Sequence, residues 1–428
     1  MIKPVALLLF IGLGFSQSRD YPNFEVIINN NPYSKPIFLH SMSGANRYMA
    51  IIDSNLNVIW NINSGSLGLD FKVNQNNLTY FDKDEESWRI LNEYMIETDT
   101  LRCEGGYNAD YHDIQIMNDG SYLLQAYDSI FVDMSTIVSN GSTNALIHLL
   151  IIQEFDLNHN LIFEWNAWDH LNIADYTNLN LTANNITWMH GNSIDVDIDE
   201  HLLISNRRSS EIIKINRFNG EVIWHLGGPL NEFSFINDPY NGFRKQHDVR
   251  RMANGHISVF DNGNTHEPPI SRVLEYSIDE DEKIVDLIWE YIHPDSIVSV
   301  AMGSAQRLPN DNTLINWGTI SNQGAIITEV DYDKNIVLEI HYPLDFHSYK
   351  VRKSDWQFST NLLAGDTNLD NIIDIIDINY IVNYSIDSNI EPDIFHLFRF
   401  DINNDRIIDT FDIELLVEHI LFNRFIII

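Results

Sequence analysis

The fold is decided by the stretch Lys245-Gln-His-Asp-Val-Arg-Arg-Met-Ala-Asn-Gly-His-Ile-Ser-Val-Phe-Asp-Asn-Gly-Asn264. Strand-forming residues lie on both sides of Asn254-Gly255, and Asn-Gly supplies the positive φ angles that a tight two-residue turn requires. The stretch therefore predicts a β-hairpin, with His247 at the start of its first strand.

The same pattern recurs along the chain. His112 precedes an apolar run and the turn Asn118-Asp119-Gly120, and His190 precedes an apolar run that ends in an acidic turn. In a further copy, Gly303 or Ser304 stands where the others have histidine. Because the repeated positions are not all alike, they are candidates for a functional site.

A second kind of unit lies between the histidine hairpins. It consists of an apolar strand, an acidic or Asn-rich turn and another strand, which often ends in tryptophan. The segments that fit are Tyr48–Trp60, Trp88–Cys103, Leu149–Trp165, Ile212–Trp224, Arg272–Trp289 and Ala325–Ile340. About four strands per repeat and about six repeats predict an all-β fold, a six-bladed β-propeller. Its inner strands would bring the histidines together in a central channel.

Composition and charge restrict the class of protein. The chain has 428 residues, of which 44% are hydrophobic and 11% aromatic, so it can bury a large core. A formal net charge of -35 argues against nucleic acid as a partner, because phosphate binding needs clustered Lys and Arg. The tryptophans of the outer strands are predicted to pack between blades.

The N-terminus predicts export. One positive charge, a short apolar run and small residues near Ser18 describe a signal peptide over residues 1–18, so we expect a periplasmic or extracellular protein. No later stretch is long enough to span a membrane. Cys103 is the only cysteine, which excludes an intramolecular disulfide, and we interpret it as a buried structural residue.

The composition changes after Trp356, where Ile and Asp become dominant. Two segments place oxygen ligands at positions 1, 3, 5, 9 and 12 of a loop, with a backbone carbonyl at position 7, as Ca²⁺ requires. These ligands are Asp366, Asn368, Asp370, Ile372, Asp374 and Asp377 in the first loop, and Asp401, Asn403, Asp405, Ile407, Asp409 and Asp412 in the second. Position 6 carries Asn371 and Arg406 instead of the usual Gly, which favours a weaker second site because Asn tolerates the left-handed conformation better than Arg.

The tail, from Gly365 to about Phe422, resembles a type I dockerin, a small duplicated calcium-loop domain. The resemblance rests on Asp377 and Asp412 at position 12, where an EF-hand has Glu. A helix-like pattern follows each loop, over 378–384 and 413–421. The resemblance implies a cohesin-bearing partner. A calcium-stabilised anchoring tail without a cohesin is the alternative. We therefore divide the chain into a signal peptide (1–18), a propeller (19–360) and a dockerin-like domain (361–428).

The body resembles the bacterial arylsulfate sulfotransferases over roughly residues 37–353. The motifs that carry the resemblance are, in order, Tyr111-His-Asp-Ile114, His190-Gly-Asn-Ser-Ile194, Ile204-Ser-Asn-Arg-Arg-Ser-Ser-Glu-Ile-Ile-Lys-Ile215, Trp224-His-Leu-Gly-Gly228, Gln246-His-Asp248 and Ala305-Gln-Arg-Leu-Pro309. The family consists of exported six-bladed propellers. Its larger members add an N-terminal β-sandwich, for which residues 19–36 are too short, and a disulfide.

The resemblance implies sulfuryl transfer from a phenolic sulfate ester to a phenol, with no nucleotide sulfate donor and no catalytic cofactor. The implied nucleophile is His247, which would form a sulfohistidine in a ping-pong reaction. His112, His190 and Arg207 match the other active-site positions. A neutral imidazole is a competent nucleophile, and a guanidinium offers a fixed fork of donors for sulfate oxygens.

Two alternatives remain open from the residues alone. The three histidines match a Zn²⁺ ligand set, although Arg207 nearby disfavours a cation. The channel also suits a non-catalytic binding propeller with an anionic ligand. Each histidine, taken singly, fits a structural hydrogen-bonding role, and we interpret His225, His256 and His266 in that way.

Overall fold

The computed structural model describes residues 21–422 except 45, 66, 357, 359–362, 387–393 and 404. The predicted signal peptide lies outside the described residues. Within them, six sheets of four or five mainly antiparallel strands confirm the six-bladed β-propeller, and β23 and β26 form a further two-stranded sheet.

The strands follow the chain from blade to blade. The first are β1 (Glu25–Asn29), β2 (Ile37–Ser43), β3 (Asn46–Ile52) and β4 (Val58–Asn63). Blade 2 contains β5 (Leu67–Asn74), β6 (Asn77–Asp82), β7 (Ser87–Leu91) and β8 (Glu97–Leu101). Blade 3 contains β9 (Ala109–Ile116), β10 (Tyr122–Val132), β11 (Ala145–Phe155), β12 (Leu161–Asn166) and the short β13 (Asn185–Thr187). A short helix, α1 (Ala167–His170), follows β12.

The second half of the ring repeats this order. Blade 4 contains β14 (Gly191–Val196), β15 (Leu202–Asn206), β16 (Glu211–Ile215) and β17 (Val222–Gly227). Blade 5 contains β18 (Ser234–Ile236), β19 (His247–Arg251), β20 (Ile257–Asp261), β21 (Arg272–Asp279) and β22 (Ile284–Tyr291). Next come β23 (Ser299–Ala301), β24 (Ser304–Arg307), β25 (Thr313–Asn316), β26 (Thr319–Ile320), β27 (Ile326–Val330), β28 (Ile336–His341) and β29 (Phe346–Lys353).

Strands from both ends of the propeller close the ring. β29 is the innermost strand of blade 1 and pairs with β2, from Ile37 opposite Lys353 to Ser43 opposite Phe346. β1 joins the outer edge of blade 6 by pairing with β28. The inner strands are therefore β29, β5, β9, β14, β19 and β24, and they surround the channel.

The turns of the repeat differ from the predicted two-residue loop. Met252 N–H donates to His256 O at 2.8 Å, and Gly255 N–H donates to Met252 O at 2.9 Å, so the loop contains three residues. Its last residue, Gly255, has φ 85°. The equivalent residues Gly120, Glu200 and Asp311 have φ values of 85°, 68° and 67°. A turn followed by one left-handed residue matches the twist of the flanking strands.

The outer hairpins lie where the sequence predicts them, and their tryptophans are buried. Trp60, Trp165, Trp224 and Trp289 are between 0% and 5% exposed. Trp60 lies on β4 and packs against Phe71 of the next blade with ring centroids 5.5 Å apart. These side chains therefore fill the spaces between blades, as predicted.

The tail contains three described helices: α2 (Ile375–Ile386), α3 (Ile394–Arg399) and α4 (Thr410–Phe422). The first and last extend beyond the predicted ranges, and α3 was not predicted. Phe398 of α3 packs against Trp60 at 5.8 Å between ring centroids. The tail therefore rests on blade 1 of the propeller.

Candidate active site

The predicted site residues lie at one end of the inner strands. His247 is the first residue of β19, His190 immediately precedes β14, and Arg207 immediately follows β15. His112 was predicted to lie at the start of a strand, but it lies inside β9. There the register shifts between the pairs Ile114–Leu124 and Ala109–Ala126, so the irregular segment brings His112 level with the other histidines. We call this the histidine end of the channel and the opposite one, where the inner hairpins turn, the hairpin end.

The four side chains lie close together. The rings of His112 and His190 meet edge to face with centroids 4.7 Å apart. The backbone N–H of Arg207 donates to the backbone carbonyl of His190 at 2.9 Å. Burial lowers the pKa of His190 to about 2, and the nearby guanidinium of Arg207 adds to this effect. His190 is therefore a neutral imidazole near neutral pH.

His247 is held in one tautomer by Asn262. Its Nδ1 lies 2.6 Å from Asn262 Oδ1. Asn262 Nδ2 is itself a donor to Met302 O at 2.9 Å, so its oxygen faces the histidine and Nδ1 carries the proton. Burial and the nearby Arg207 lower the pKa of His247 to about 3. The lone pair of Nε2 is consequently available for bond formation.

His112 has a different partner. Its Nδ1 lies 2.5 Å from Asp110 Oδ2, and this carboxylate also accepts the His112 backbone N–H at 2.9 Å. The His112 carbonyl accepts hydrogen bonds from Tyr349 Oη at 3.1 Å and from Lys350 Nζ at 2.5 Å. Asp110 therefore fixes the orientation of the His112 ring at the channel.

Arg207 lies half-buried at the channel wall. Its Nη2 donates to Val300 O at 3.2 Å. It has no carboxylate partner within the described chain, and burial lowers its pKa together with the neighbouring Arg208. The neighbouring Arg208 is exposed.

An ion-pair network fills the channel beyond the histidines. Asp113 accepts from Lys72 Nζ at 2.7 Å and from Arg250 Nη2 at 2.6 Å. Asp248, which follows His247, pairs with Arg250 at 3.0 Å and Arg352 at 2.5 Å. Burial opposes ionisation of Asp113, but Arg250, Lys350 and Lys72 outweigh it and hold its pKa well below the usual range. Because Asp113 follows His112 and Asp248 follows His247, this network anchors the strand segments that carry the two histidines.

Tyrosines complete the walls. Tyr111 stacks on His112 with ring centroids 4.2 Å apart, and burial raises its pKa to about 12. Tyr127 Oη donates to Gly191 O at 3.0 Å, beside His190. Both side chains remain protonated and provide an aromatic lining.

Sequence reasoning missed Asp110, Asn262 and Tyr349. One signal was available for Asn262: an asparagine ends or follows the second strand of three hairpins, at Asn206, Asn262 and Asn316. For Asp110 the signal was its position two residues before His112 on β9, whereas nothing local distinguishes Tyr349, which meets His112 from a distant strand.

The residues interpreted as structural have separate partners. His225 pairs with Glu211 at 2.8 Å, His256 with Glu275 at 2.6 Å and His266 with Asp261 at 2.9 Å. Cys103 is half-buried just after β8, and burial raises the pKa of its thiol to about 12, so it is not a thiolate nucleophile.

The metal alternative receives no support from the geometry. Among the described residues, no group of three or more His, Cys, Asp or Glu side chains is arranged to hold a metal ion. This statement covers both the histidine end and the acidic loops of the tail. Nor does any helix of the described chain have the length and apolar character needed to cross a membrane.

Comparisons with known proteins identify one family. The family described as Arylsulfotransferase (ASST) matches residues 82–343, which is more than half of the chain. A search of curated proteins finds no match.

Similar solved structures include a protein of unknown function from Bacteroides caccae, with 11% identity, a TM-score of 0.47, and coverage of 74% of this chain and 98% of that one. Another is an inactive variant of virginiamycin B lyase from Staphylococcus aureus, with 8% identity, a TM-score of 0.40, and coverage of 75% and 89% respectively. These similarities support no inference about the substrate.

Proposed function

The chain belongs to the arylsulfotransferase family, and we propose that it transfers a sulfuryl group from a phenolic sulfate ester to a phenol through a sulfohistidine at His247. The observation that carries this proposal is the hydrogen bond from His247 Nδ1 to Asn262 Oδ1 at 2.6 Å. It leaves Nε2 with a lone pair at the point where the other histidines and Arg207 converge.

In the first half-reaction, His247 Nε2 attacks the sulfur of the aryl sulfate. A nitrogen–sulfur bond forms, and the bond between sulfur and the phenolic oxygen breaks with its electron pair on the oxygen. Arg207 holds the sulfuryl oxygens, whose charge changes during transfer. His112, oriented by Asp110, gives a proton to the leaving phenolate, while the neutral His190 donates a hydrogen bond to a sulfuryl oxygen.

The second half-reaction reverses these steps. The acceptor phenol gives its proton to His112, its oxygen attacks sulfur, and the bond to His247 breaks. A phenol with a pKa near 10 is both a fair leaving group and an accessible nucleophile, so one set of residues serves both directions. Transfer through a covalent intermediate predicts ping-pong kinetics.

Intact-mass measurement tests the proposal. Wild-type protein mixed with 4-nitrophenyl sulfate is expected to release nitrophenol and to gain the mass of one sulfuryl group. His247→Ala is expected to lack the adduct, with turnover lowered by roughly 10⁴-fold or more. His256→Ala, which removes a histidine at the opposite, hairpin end of the channel, is the matched control. Turnover without an adduct would contradict the covalent mechanism, and no release from several aryl sulfates would leave the anion-binding alternative.

We also propose that the tail binds Ca²⁺. The donors are carboxylate, amide and backbone oxygens, which suit a hard cation. Position 6 has φ 65° at Asn371 and 72° at Arg406, the left-handed turn that such a loop needs. Asp377 Oδ1 accepts from Thr367 N–H at 2.7 Å, as Asp412 Oδ1 does from Ile402 N–H at 2.7 Å, so the two loops share one arrangement.

Calorimetric titration with Ca²⁺ tests this site. We expect two binding events in the full chain, with Asp366→Ala removing the tighter and Asp401→Ala the weaker one. Absence of binding would contradict the assignment.

Export and a cohesin partner complete the proposal. Ile375, Ile376 and Phe411 occupy positions 10 and 11 of the two loops and are 64%, 47% and 51% exposed, which is apolar surface suited to a protein partner. Calcium-dependent binding of a type I cohesin is the expected result. Calcium binding without any cohesin affinity would favour the anchoring tail instead, and the N-terminal sequence of secreted material tests cleavage near Ser18.

A further inference from the structure

A polar cavity lies beside the candidate active site, on the face of the propeller that carries the histidine end. Its volume is about 550 Å³, and it opens between blade 4 and the segment that leads into β19. Lys245 lines it and lies two residues before His247. Arg207 and Arg208 help burial to lower the pKa of Lys245, so the cavity adjoins the predicted sulfuryl site.

The lining of this cavity is unusual for so acidic a protein. Arg244 and Lys245 contribute cations, while Ser209, Ser210 and Thr265 contribute hydroxyls. No carboxylate is among the described lining residues, although the chain contains 61 Asp and Glu. Such a lining is suited to an anion that accepts hydrogen bonds.

The two cations are not neutralised by the protein. Arg244 Nη1 donates to the carbonyl of the adjacent Phe243 at 2.7 Å, and Lys245 Nζ donates to Arg208 O at 2.7 Å. Neither forms an ion pair with a carboxylate within the part of the chain that the structure describes. Backbone carbonyls orient both side chains without cancelling their charge.

The floor of the cavity also depends on small residues. Gly227 has φ 75°, and a Cβ there would lie 2.7 Å from Ser210 O; Gly228 has φ 64° and a Cβ would lie 3.0 Å from Ser209 O. A side chain at either position would press against this backbone and would strain the left-handed conformation. The cavity is therefore a built feature of blade 4.

We propose that this cavity binds a second anionic group of the substrate, a carboxylate or a sulfate, while the group to be transferred lies at His247. Arg244 and Lys245 are its specificity-determining residues. This inference rests on the proposed function and narrows it: preferred substrates are aryl sulfates with a second anionic substituent.

Affinity for unreactive probes tests the inference without turnover. Naphthalene-2,6-disulfonate and naphthalene-2-sulfonate carry carbon–sulfur bonds, so neither transfers a sulfuryl group. Calorimetry on the full chain is expected to show about tenfold tighter binding of the disulfonate. Arg244→Gln and Lys245→Gln are expected to abolish this preference, whereas Lys334→Gln, which removes a charge from an exposed turn at the hairpin end, is expected to retain it. Thermal melting checks that each variant is folded.

Equal affinities for the two probes in the wild type, or a preference that survives both substitutions, would overturn the inference. Turnover of 4-nitrophenyl sulfate is measured separately. A disulfonate preference without turnover would support the anion-binding cavity and contradict the proposed sulfuryl transfer. Turnover without the preference would support the transfer and contradict the anion-binding cavity.

Discussion

The two ends of the channel use basic residues in opposite ways. At the hairpin end, a cavity of about 890 Å³ is lined by Arg250, Arg251, Arg307 and Arg352, and each of them pairs with a buried carboxylate. At the histidine end, Arg207, Arg208, Arg244 and Lys245 have no carboxylate partner within the described chain. In a protein of net charge -35, cations left without acidic partners indicate where an external anion binds.

The difference also separates stability from function. Paired charges in a low-dielectric interior stabilise each other, and losing one partner leaves the other buried and uncompensated. Unpaired cations near the surface contribute little to folding but raise the local concentration of anions. The hairpin end therefore serves mainly the fold, and the histidine end serves the proposed reaction.

The largest expected effect follows from breaking the network beneath the histidines. Asp113→Ala leaves Lys72 and Arg250 without a shared carboxylate, so we expect the free energy of unfolding to fall by about 3–5 kcal/mol. Chemical denaturation measures it. A change below about 1 kcal/mol would show that the network is not a stabilising feature.

Asn262→Asp tests the protonation state of His247 at the histidine end. A carboxylate beside Nδ1 favours the charged imidazole, so the pKa of His247 is expected to rise from about 3 by about 1–3 units. Since the neutral ring is the nucleophile, the acid limb of the nitrophenol burst should move to higher pH. Asn316→Asp, in the next hairpin of the repeat, is the control, and an unmoved limb in Asn262→Asp would contradict the assigned tautomer.

His40 is a buried histidine without a carboxylate partner among the described residues, and its burial should make the free energy of unfolding depend on pH. Both of its ring nitrogens lack partners among the described residues, and burial lowers its pKa to about 3. The unfolded chain binds a proton below pH 6.5 and the folded chain does not until about pH 3, so stability falls across this window as the pH decreases. His40→Leu should reduce that slope by about 1.4 kcal/mol per pH unit in denaturation experiments. An unchanged slope would contradict the low pKa.

The smallest expected effect is that of Arg208→Gln. Because Arg208 is exposed, the free energy of unfolding should change by less than about 0.5 kcal/mol. The KM for 4-nitrophenyl sulfate should rise by about twofold to fivefold at low salt, and the rise should vanish at high salt. A salt-independent rise would indicate direct contact instead of a long-range field.

The sequence by itself determined the repeat. Alternating strands, turn residues and the position of His247 are local properties, because hydrogen-bonded ladders and left-handed turn residues depend on near neighbours in the chain. For that reason the six blades, the outer hairpins and the helices after the acidic loops were predictable. The exact form of the inner turns was not, since Asn254-Gly255 fits more than one loop length.

Only the tertiary structure decided how the site is built. Asp110 meets His112 within the irregular segment of β9, and Asn262 meets His247 from the neighbouring strand. The carboxylate of Asp113 joins three blades through Lys72 and Arg250. The strand β1 on blade 6 and the packing of Phe398 against Trp60 join segments that are distant in sequence. Sequence spacing identifies which side chains approach the channel, but their partners, burial and charge states depend on closure of the ring.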